Sequence, residues 1–164
     1  MSQRPAICEM FPSLWKEGLG VIDVGCRDGV HGVFKEVVSL VEVAGFEPDP
    51  KEAIRLQAAP RRPSPYKSLT YLPYALGGSD GQQPLHLCRS PGASSFYSPN
   101  RIFLERFPDP SRFDPIATVV VPVRSLDSLV ADPSVTLPTH VDFLKVDTQG
   151  SELEILQGAA QALE

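Results

Sequence analysis

Continuous apolar runs constrain the fold of this chain most strongly. Residues 19–24 and 40–46 are mostly apolar and rich in valine, and residues 141–147 form a similar run near the carboxyl end. A strand covered on both faces is apolar at successive positions, whereas a strand with one wet face alternates. The runs therefore predict strands of a sheet that is buried on both sides.

Helix signals follow these runs. Asp49 is suited to cap a helix that starts at Pro50, with Glu52 as its capping-box partner, and we expect this helix to end near Ala58. A shorter helix is predicted over residues 30–38, with one apolar side made of Val30, Val33, Phe34, Val37 and Val38.

The carboxyl end repeats the pattern. Ser151 and Glu154 form a second capping box, which predicts a helix directly after the last strand. The apolar stripe of this helix is expected at Leu153, Leu156, Ala160 and Leu163.

The middle of the chain adds shorter elements. A third strand is expected over residues 69–76, interrupted by Pro73, and two more over 84–89 and 117–124, with a short helix over 102–107. Strands alternating with helices predict an α/β fold whose mostly parallel sheet has helices on both faces. Most of the 17 prolines lie in the connections, where a missing N–H is tolerated.

Composition narrows the class of protein. The chain has 164 residues, 42% of them hydrophobic, and a formal net charge of −5, which fits one soluble globular domain and argues against nucleic-acid binding. No apolar run reaches the roughly 18–20 residues of a membrane span, and the start has no signal-peptide pattern. Three widely spaced cysteines indicate neither a zinc site nor a disulfide framework, so a cytoplasmic protein without a metal is expected.

Four of the predicted strands, those over residues 19–24, 40–46, 69–76 and 141–147, end close to a carboxylate. In open parallel sheets a ligand binds at these carboxyl ends, so Asp23, Asp28, Glu47, Asp80 and Asp147 are candidate ligand contacts. Glu47 is placed to accept hydrogen bonds from two ribose hydroxyls, and Asp80 from an adenine amino group.

The glycines and the charge point to the kind of ligand. Gly25, Gly29 and Gly32 are spaced four and three apart, unlike the G-x-G-x-x-G fingerprint of dinucleotide sites. Three nearby carboxylates, Asp23, Asp28 and Asp147, would repel a pyrophosphate. The ammonium and sulfonium of S-adenosylmethionine suit such surroundings better.

Three segments carry a family resemblance. Residues 22–25 (IDVG), 45–50 (GFEPDP) and, above all, 143–159 (FLKVDTQGSELEILQGA) resemble the FkbM-type methyltransferases, and weaker matches lie between them. The resemblance implies a Rossmann-like fold with a β-hairpin, residues 84–89 and 117–124, inserted before the last strand. It also implies S-adenosylmethionine-dependent methylation, usually of a hydroxyl on a sugar, glycolipid or secondary metabolite.

The resemblance also implies site residues. Asp23, Gly25 and Gly29 would line the methionine end of the cofactor, Glu47 would hold the ribose, and Asp147 would face the methyl-transfer cleft as the candidate catalytic residue. Neighbouring positions complete the expected cofactor site: Cys26, Asp28, Pro48, Ala75 and Asp80. Two simpler interpretations stay open, an ion pair between Lys145 and Asp147 and an ordinary turn at Asp80.

The chain departs from the family in two respects. Cys26-Arg27 stands where many members have Ala-Asn, so Arg27 either points away from the sulfonium or contacts an acidic substrate. The chain also ends after the fourth core strand of a fold with about seven. We therefore expect an amino-terminal extension over residues 1–18 and a truncated methyltransferase domain over 19–164, in which the exposed sheet edge allows an oligomer. The alternatives are an inactive fragment or binding module and, less favoured, a nicotinamide-dependent oxidoreductase.

Overall fold

The computed structural model describes residues 16–58 and 64–164. Its strands are β1 (Leu19–Val24), β2 (Val41–Phe46), β3 (Ser68–Leu72), β4 (Ala75–Leu76), β5 (Gly81–Cys88), β6 (Pro115–Arg124) and β7 (Phe143–Val146). Its α-helices are α1 (Pro50–Ala58), α2 (Arg101–Leu104), α3 (Leu126–Val130) and α4 (Glu152–Gln157). Short 3₁₀ helices cover Gly32–Leu40, Pro91–Ala93 and Pro110–Phe113.

Four parallel strands form the main sheet, in the order β3-β2-β1-β7. The order reverses at β1: β2 and β3 lie on one side of it, and β7 lies on the other. Such a reversal leaves a crevice at the carboxyl ends of β1 and β7, where α/β proteins bind ligands.

Both faces of this sheet are covered. On one face, Ile22, Val24, Ala44 and Phe46 pack with residues from α3 and from α4 and the turn after it, namely Leu126, Leu129, Ile155 and Ala159. On the other face, Val21, Val41 and Val43 pack against residues around the first 3₁₀ helix, Val30, Phe34 and Val37. The α/β, Rossmann-like fold predicted from the continuous apolar runs is confirmed, because the runs supply both cores at once.

A second, three-stranded sheet holds β4, β6 and β5 in that order. The predicted hairpin is confirmed as the antiparallel pair of β5 and β6, and each strand is longer than its apolar run. The predicted third strand is two strands. β3 pairs with β2 in the main sheet, whereas β4 pairs with β6 in the second one, on either side of Pro73. Proline lacks the N–H that a continuous ladder needs, so the chain changes sheets there.

The first predicted capping box was half right. The Asp49 Oδ1 atom accepts the Lys51 N–H at 3.0 Å and caps α1, which is described as far as Ala58. The backbone N–H of Asp49 donates to Glu47 Oε1 rather than to Glu52. Glu52 instead turns towards Arg55 and the backbone of Asp28.

The second predicted capping box does not form. The Ser151 side chain makes no cap hydrogen bond, and Glu152, not Glu154, accepts hydrogen bonds from Gly150 N and Thr148 Oγ1. The predicted apolar stripe was also wrong: Leu153 and Leu156 are 65% and 49% exposed, while Ile155 and Ala159 are buried. The close contact of Gly158 with the backbone of Gly77 helps to set this rotation.

The remaining elements shift modestly from their predicted bounds. The helix expected over 30–38 is the 3₁₀ helix Gly32–Leu40, and the one expected over 102–107 is α2. Most of the predicted amino-terminal extension, and Pro60 and Pro63 after α1, lie outside the described residues.

Candidate functional site

The turn after β1 lies at the point where the strand order reverses. Gly25 and Cys26 both donate their N–H groups to the Phe46 carbonyl of β2, at 3.0 and 3.1 Å. Asp147 N donates to the Val24 carbonyl from the other side. Gly25 has a φ of +76°, and a Cβ there would lie 2.4 Å from the Asp147 carbonyl oxygen, so only glycine fits between the two strand ends.

A cavity of about 560 Å³ opens at this edge of the sheet. Its walls come from the turns after β1, β2 and β7, from β4 and its approach, and from the connection between β5 and β6. The cavity has an acidic end, an apolar wall and a neutral polar end.

Charged side chains of the acidic end follow β1, β2 and β7. The lining carries four carboxylates and one guanidinium: Asp28, Glu47, Asp49, Asp147 and Arg27. The guanidinium is already paired, with Arg27 Nη2 at 2.6 Å from Asp49 Oδ2 and 3.9 Å from Glu47 Oε1. An anion such as pyrophosphate would meet net negative charge here, and a cation would be attracted.

Glu47 combines burial with a place on the cavity wall. It is 5% exposed, and its Oε1 atom accepts the Asp49 N–H at 2.9 Å. Burial raises the pKa of the Glu47 carboxyl, and the hydrogen bond from Asp49 and the charge of Arg27 oppose that shift. The hydrogen bond from Asp49 therefore helps to hold the carboxyl group in one orientation, and together with the charge of Arg27 it favours the ionised form against burial.

The turn between β1 and the first 3₁₀ helix is attached to α1. Asp28, at a φ of +65°, donates its N–H to Glu52 Oε1 at 2.9 Å. The hydrogen bond from Arg55 lowers the pKa of Glu52 to about 2. Glu52 is thus a fixed anion that holds the turn, a role that its position in a capping-box pattern concealed.

Cys26 lies behind this turn. Its thiol is buried and lies close to Gly45 of β2, where a Cβ would approach the Sγ atom to 2.8 Å. Burial, with the charges of Asp23 and Glu47 beside it, raises the pKa of the Cys26 thiol well above its usual range. A thiol that stays protonated is a packing group rather than a nucleophile.

Asp23 lies one layer behind the cavity wall. It is 1% exposed, its Oδ2 atom accepts the His31 N–H at 2.9 Å, and its Oδ1 atom lies 2.9 Å from Lys145 Nζ. The same ammonium is 3.7 Å from Asp147 Oδ2, so the ion pair between Lys145 and Asp147 is present together with the pair to Asp23. Sequence reasoning weighed Lys145 only as a partner of Asp147.

Asp80 lies away from the cavity. Its Oδ1 atom accepts hydrogen bonds from Ser125 N at 2.8 Å and Ser128 Oγ at 2.6 Å, and its Oδ2 atom lies 2.8 Å from Arg124 Nε. These hydrogen bonds, with Ser128 first, lower the pKa of the Asp80 carboxyl. The contact of Asp80 with adenine stays a prediction. In the structure, the Asp80 carboxylate binds residues at the junction between β6 and α3.

The ten residues expected at the cofactor thus divide into two groups. Those that line the cavity are Gly25, Asp28, Glu47, Pro48, Ala75 and Asp147. Those that do not are Asp23, Cys26, Gly29 and Asp80.

Sequence reasoning missed most of the apolar wall and the neutral polar end. The wall carries Phe46, Tyr74, Leu76, Leu85 and Phe96, and the neutral end carries Ser90, Ser94, Ser95, Thr148 and Gln149. Ser95 Oγ donates to the Gln149 carbonyl at 2.6 Å, and Gln149 Nε2 donates to the Gly92 carbonyl at 3.2 Å. Residues 92–95 are one of the weaker family matches, but Ser94 and Ser95 were interpreted as plain loop residues, because only the fold brings their loop across to the end of β7.

Among residues 16–58 and 64–164, no group of three or more His, Cys, Asp or Glu side chains is arranged to hold a metal ion. Within that same part of the chain, no helix has the length and apolar character needed to cross a membrane.

Known proteins resemble the chain as follows. The family model described as the methyltransferase FkbM domain matches residues 23–164. A crystal structure of methyltransferase FkbM from Methylobacillus flagellatus KT is similar at 18% sequence identity and a TM-score of 0.48. That similarity covers 90% of this chain and 30% of the crystallised one. No curated protein matches the chain.

Proposed function

The chain belongs to the FkbM methyltransferase family, and on that premise we propose that it binds S-adenosylmethionine for methyl transfer to a hydroxyl oxygen. The acceptor we propose is a sugar, a glycolipid or a secondary metabolite. The observation that carries the cofactor is the charge of the cavity: four carboxylates against one guanidinium that is already paired.

The charged and hydrogen-bonding groups of the cavity fit S-adenosylmethionine better than a dinucleotide. The ligand carries an ammonium and a sulfonium, which net negative charge attracts, whereas the pyrophosphate of NAD would be repelled. Glu47, which accepts one hydrogen bond from Asp49 through Oε1, would accept further ones from the ribose hydroxyls. The apolar wall with Phe46, Leu76 and Phe96 would hold the adenine ring.

S-adenosylmethionine, when bound, supplies a methyl group on an electrophilic sulfur. The chain's own residues then have to hold the acceptor hydroxyl in line and take its proton. Ser94, Ser95 and Gln149 offer neutral hydrogen-bonding groups in the cavity lining, which suit a hydroxylated acceptor. Asp147 lines the same cavity with a side chain that is 71% exposed, so its carboxylate is accessible to accept the proton.

The chain corresponds to 30% of the crystallised relative, so the test starts from cofactor binding. Isothermal titration calorimetry would compare S-adenosylmethionine, S-adenosylhomocysteine and NAD on the unaltered chain and on Glu47→Gln. We expect both sulfur compounds to bind and NAD not to bind. The variant should weaken S-adenosylmethionine at least about tenfold, or roughly 1.4 kcal/mol, because the amide bears no charge.

Glu42→Gln is the matched control. Glu42 lies on β2, the strand that Glu47 follows. It is near the amino end of that strand, where its carboxylate pairs with Lys67 at 2.8 Å. Its substitution should leave the affinity unchanged. Binding of NAD alone would overturn the proposed cofactor, and undiminished binding by Glu47→Gln would overturn the proposed site. Binding without transfer to any hydroxylated acceptor would favour an inactive binding module.

A further inference from the structure

We propose that Lys145 is a positioning residue of the cofactor site, which ties the end of β1 to the end of β7 through its ammonium group. The inference rests on the proposed function, since it concerns the same cavity. It assigns the lysine a role in holding the wall to which Gly25 and Asp147 belong, rather than a contact with the ligand.

The strand register places the lysine opposite the buried acid. Asp23 and Lys145 are paired positions on the neighbouring parallel strands β1 and β7. Their charged atoms, Oδ1 and Nζ, are 2.9 Å apart, and the lysine side chain is 18% exposed against 2% for the aspartate side chain. A carboxylate this deeply buried needs a partner charge, and Lys145 supplies it.

The ammonium contacts more than one acid. It donates to the backbone carbonyl of Gly25 at 3.2 Å and lies 3.4 Å from that of Val24. It also lies 3.7 Å from Asp147 Oδ2. One group therefore joins four oxygens, three from the end of β1 and its turn and one from the residue after β7.

These contacts begin inside the ladder and extend just beyond its end. The last paired positions are Val24 and Val146, and Gly25 and Asp147 follow them directly. Asp147 N donates to the Val24 carbonyl there, and the Lys145 ammonium adds the charged contacts. Gly25 and Asp147, which line the cavity beyond this point, are held together by this small set of bonds.

The direction of the change in ligand affinity distinguishes a positioning role of Lys145 from a purely electrostatic effect of its charge. Removal of a cation beside the cavity would, by Coulomb's law alone, strengthen the binding of a cationic ligand. If the lysine positions the wall, its removal weakens that binding. The double variant Asp23→Asn/Lys145→Met removes one positive and one negative charge, so its total charge equals that of the unaltered chain and its affinity reports geometry.

The experiment measures S-adenosylmethionine binding by calorimetry on the unaltered chain, Lys145→Met, the double variant and Lys67→Met. Lys67→Met is the matched control, because Lys67 also pairs with a carboxylate beside the sheet, but at its amino end. Circular dichroism and thermal melts establish that each variant is folded. We expect Lys145→Met and the double variant to bind at least about fivefold more weakly, and the control to be unchanged.

The double variant keeps the test decisive. Lys145→Met leaves Asp23 buried without its partner and is expected to melt at a lower temperature, whereas the double variant should recover much of the stability but not the affinity. Affinity of the folded double variant within about fivefold of the unaltered chain would overturn the inference. Failure of both variants to fold would overturn it as well, in favour of a purely structural lysine. Absence of binding by the unaltered chain would instead remove the proposed function, and the inference with it.

Discussion

Glu47 and Asp23 are acids at the ends of neighbouring strands, yet their carboxylates meet different surroundings. Asp23 is 1% exposed and paired with a lysine, while Glu47 is 5% exposed and lies on a cavity wall, 3.9 Å from the nearest guanidinium nitrogen. The first is a neutralised structural charge. Burial raises the pKa of the second carboxyl, so its ionised form carries a cost in stability, which is typical of a residue kept for binding.

This cost predicts a pH-dependent effect of Glu47→Gln on stability. Burial raises the pKa of Glu47 in the folded chain above its unfolded value, so the ionised form destabilises the fold at neutral pH. The amide oxygen can still accept the Asp49 N–H, so the variant should melt at an equal or higher temperature near pH 7. As the pH falls through the raised pKa towards about 4.3, Glu47 becomes protonated and this advantage should disappear.

Thermal melts of the two chains between pH 4 and 8 measure the difference. Glu42→Gln is again the control and should behave oppositely. The hydrogen bond from Lys67 lowers the pKa of Glu42, so its ionised form stabilises the fold at neutral pH. A Glu47→Gln variant that melts clearly lower at pH 7 would contradict the argument that burial of the charge is costly.

At the scale of elements, the sequence located helices better than it oriented them. The helix after the last strand is present as α4, but its buried side carries Ile155 and Ala159 instead of the leucines at 153 and 156. A stripe that extends over residues 153–163 assumes one uninterrupted helix, whereas α4 ends at Gln157 and the chain continues in turns. The packed neighbours, Leu126 and Leu129 of α3 among them, select the face.

The observed orientation predicts unequal effects of two neighbouring truncations. Ile155→Ala should lower the free energy of unfolding by about 2–5 kcal/mol, because it opens a cavity in the main core. Leu156→Ala, next to it and 49% exposed, should cost no more than about 0.5 kcal/mol. Urea denaturation of the two variants measures the difference, and a larger loss at Leu156 would restore the stripe expected from the sequence.

At the scale of the whole molecule, the two sheets supply different parts of the cavity lining. The turns after the strands of the four-stranded parallel sheet carry the carboxylates of the cavity. The connection between β5 and β6 of the second sheet carries its serines. The two sides are joined by Ser95 Oγ and by Tyr97, whose hydroxyl donates to Glu154 Oε1 at 2.8 Å. The ring of Tyr97 lies against Gly150, where a Cβ would approach it to 3.1 Å.

The net charge of this cavity predicts the response of binding to salt. S-adenosylmethionine carries one net positive charge more than S-adenosylhomocysteine, so its attraction to the carboxylates is screened more strongly. Between about 50 and 500 mM NaCl, its affinity should fall about threefold, and that of the homocysteine should change less. Calorimetry at the two salt concentrations measures both, and an equal loss for the two ligands would contradict an electrostatic basis for the selectivity.

The sequence by itself determined the fold class and pointed to the sheet edge at which the candidate cavity lies. Continuous apolar runs can be buried only in a doubly covered sheet, and such a sheet brings its carboxyl ends, with Gly25, Glu47 and Asp147, to one edge. Tertiary structure alone decided which acids face the cavity. In the sequence, Asp23 and Asp80 were candidate ligand contacts on the same grounds as Glu47. In the fold, residues distant in the chain pair with their charges, Lys145 with Asp23 and Arg124 with Asp80. A local pattern specifies where a side chain can lie along a strand, whereas its charge is matched by residues that only the packed fold brings near.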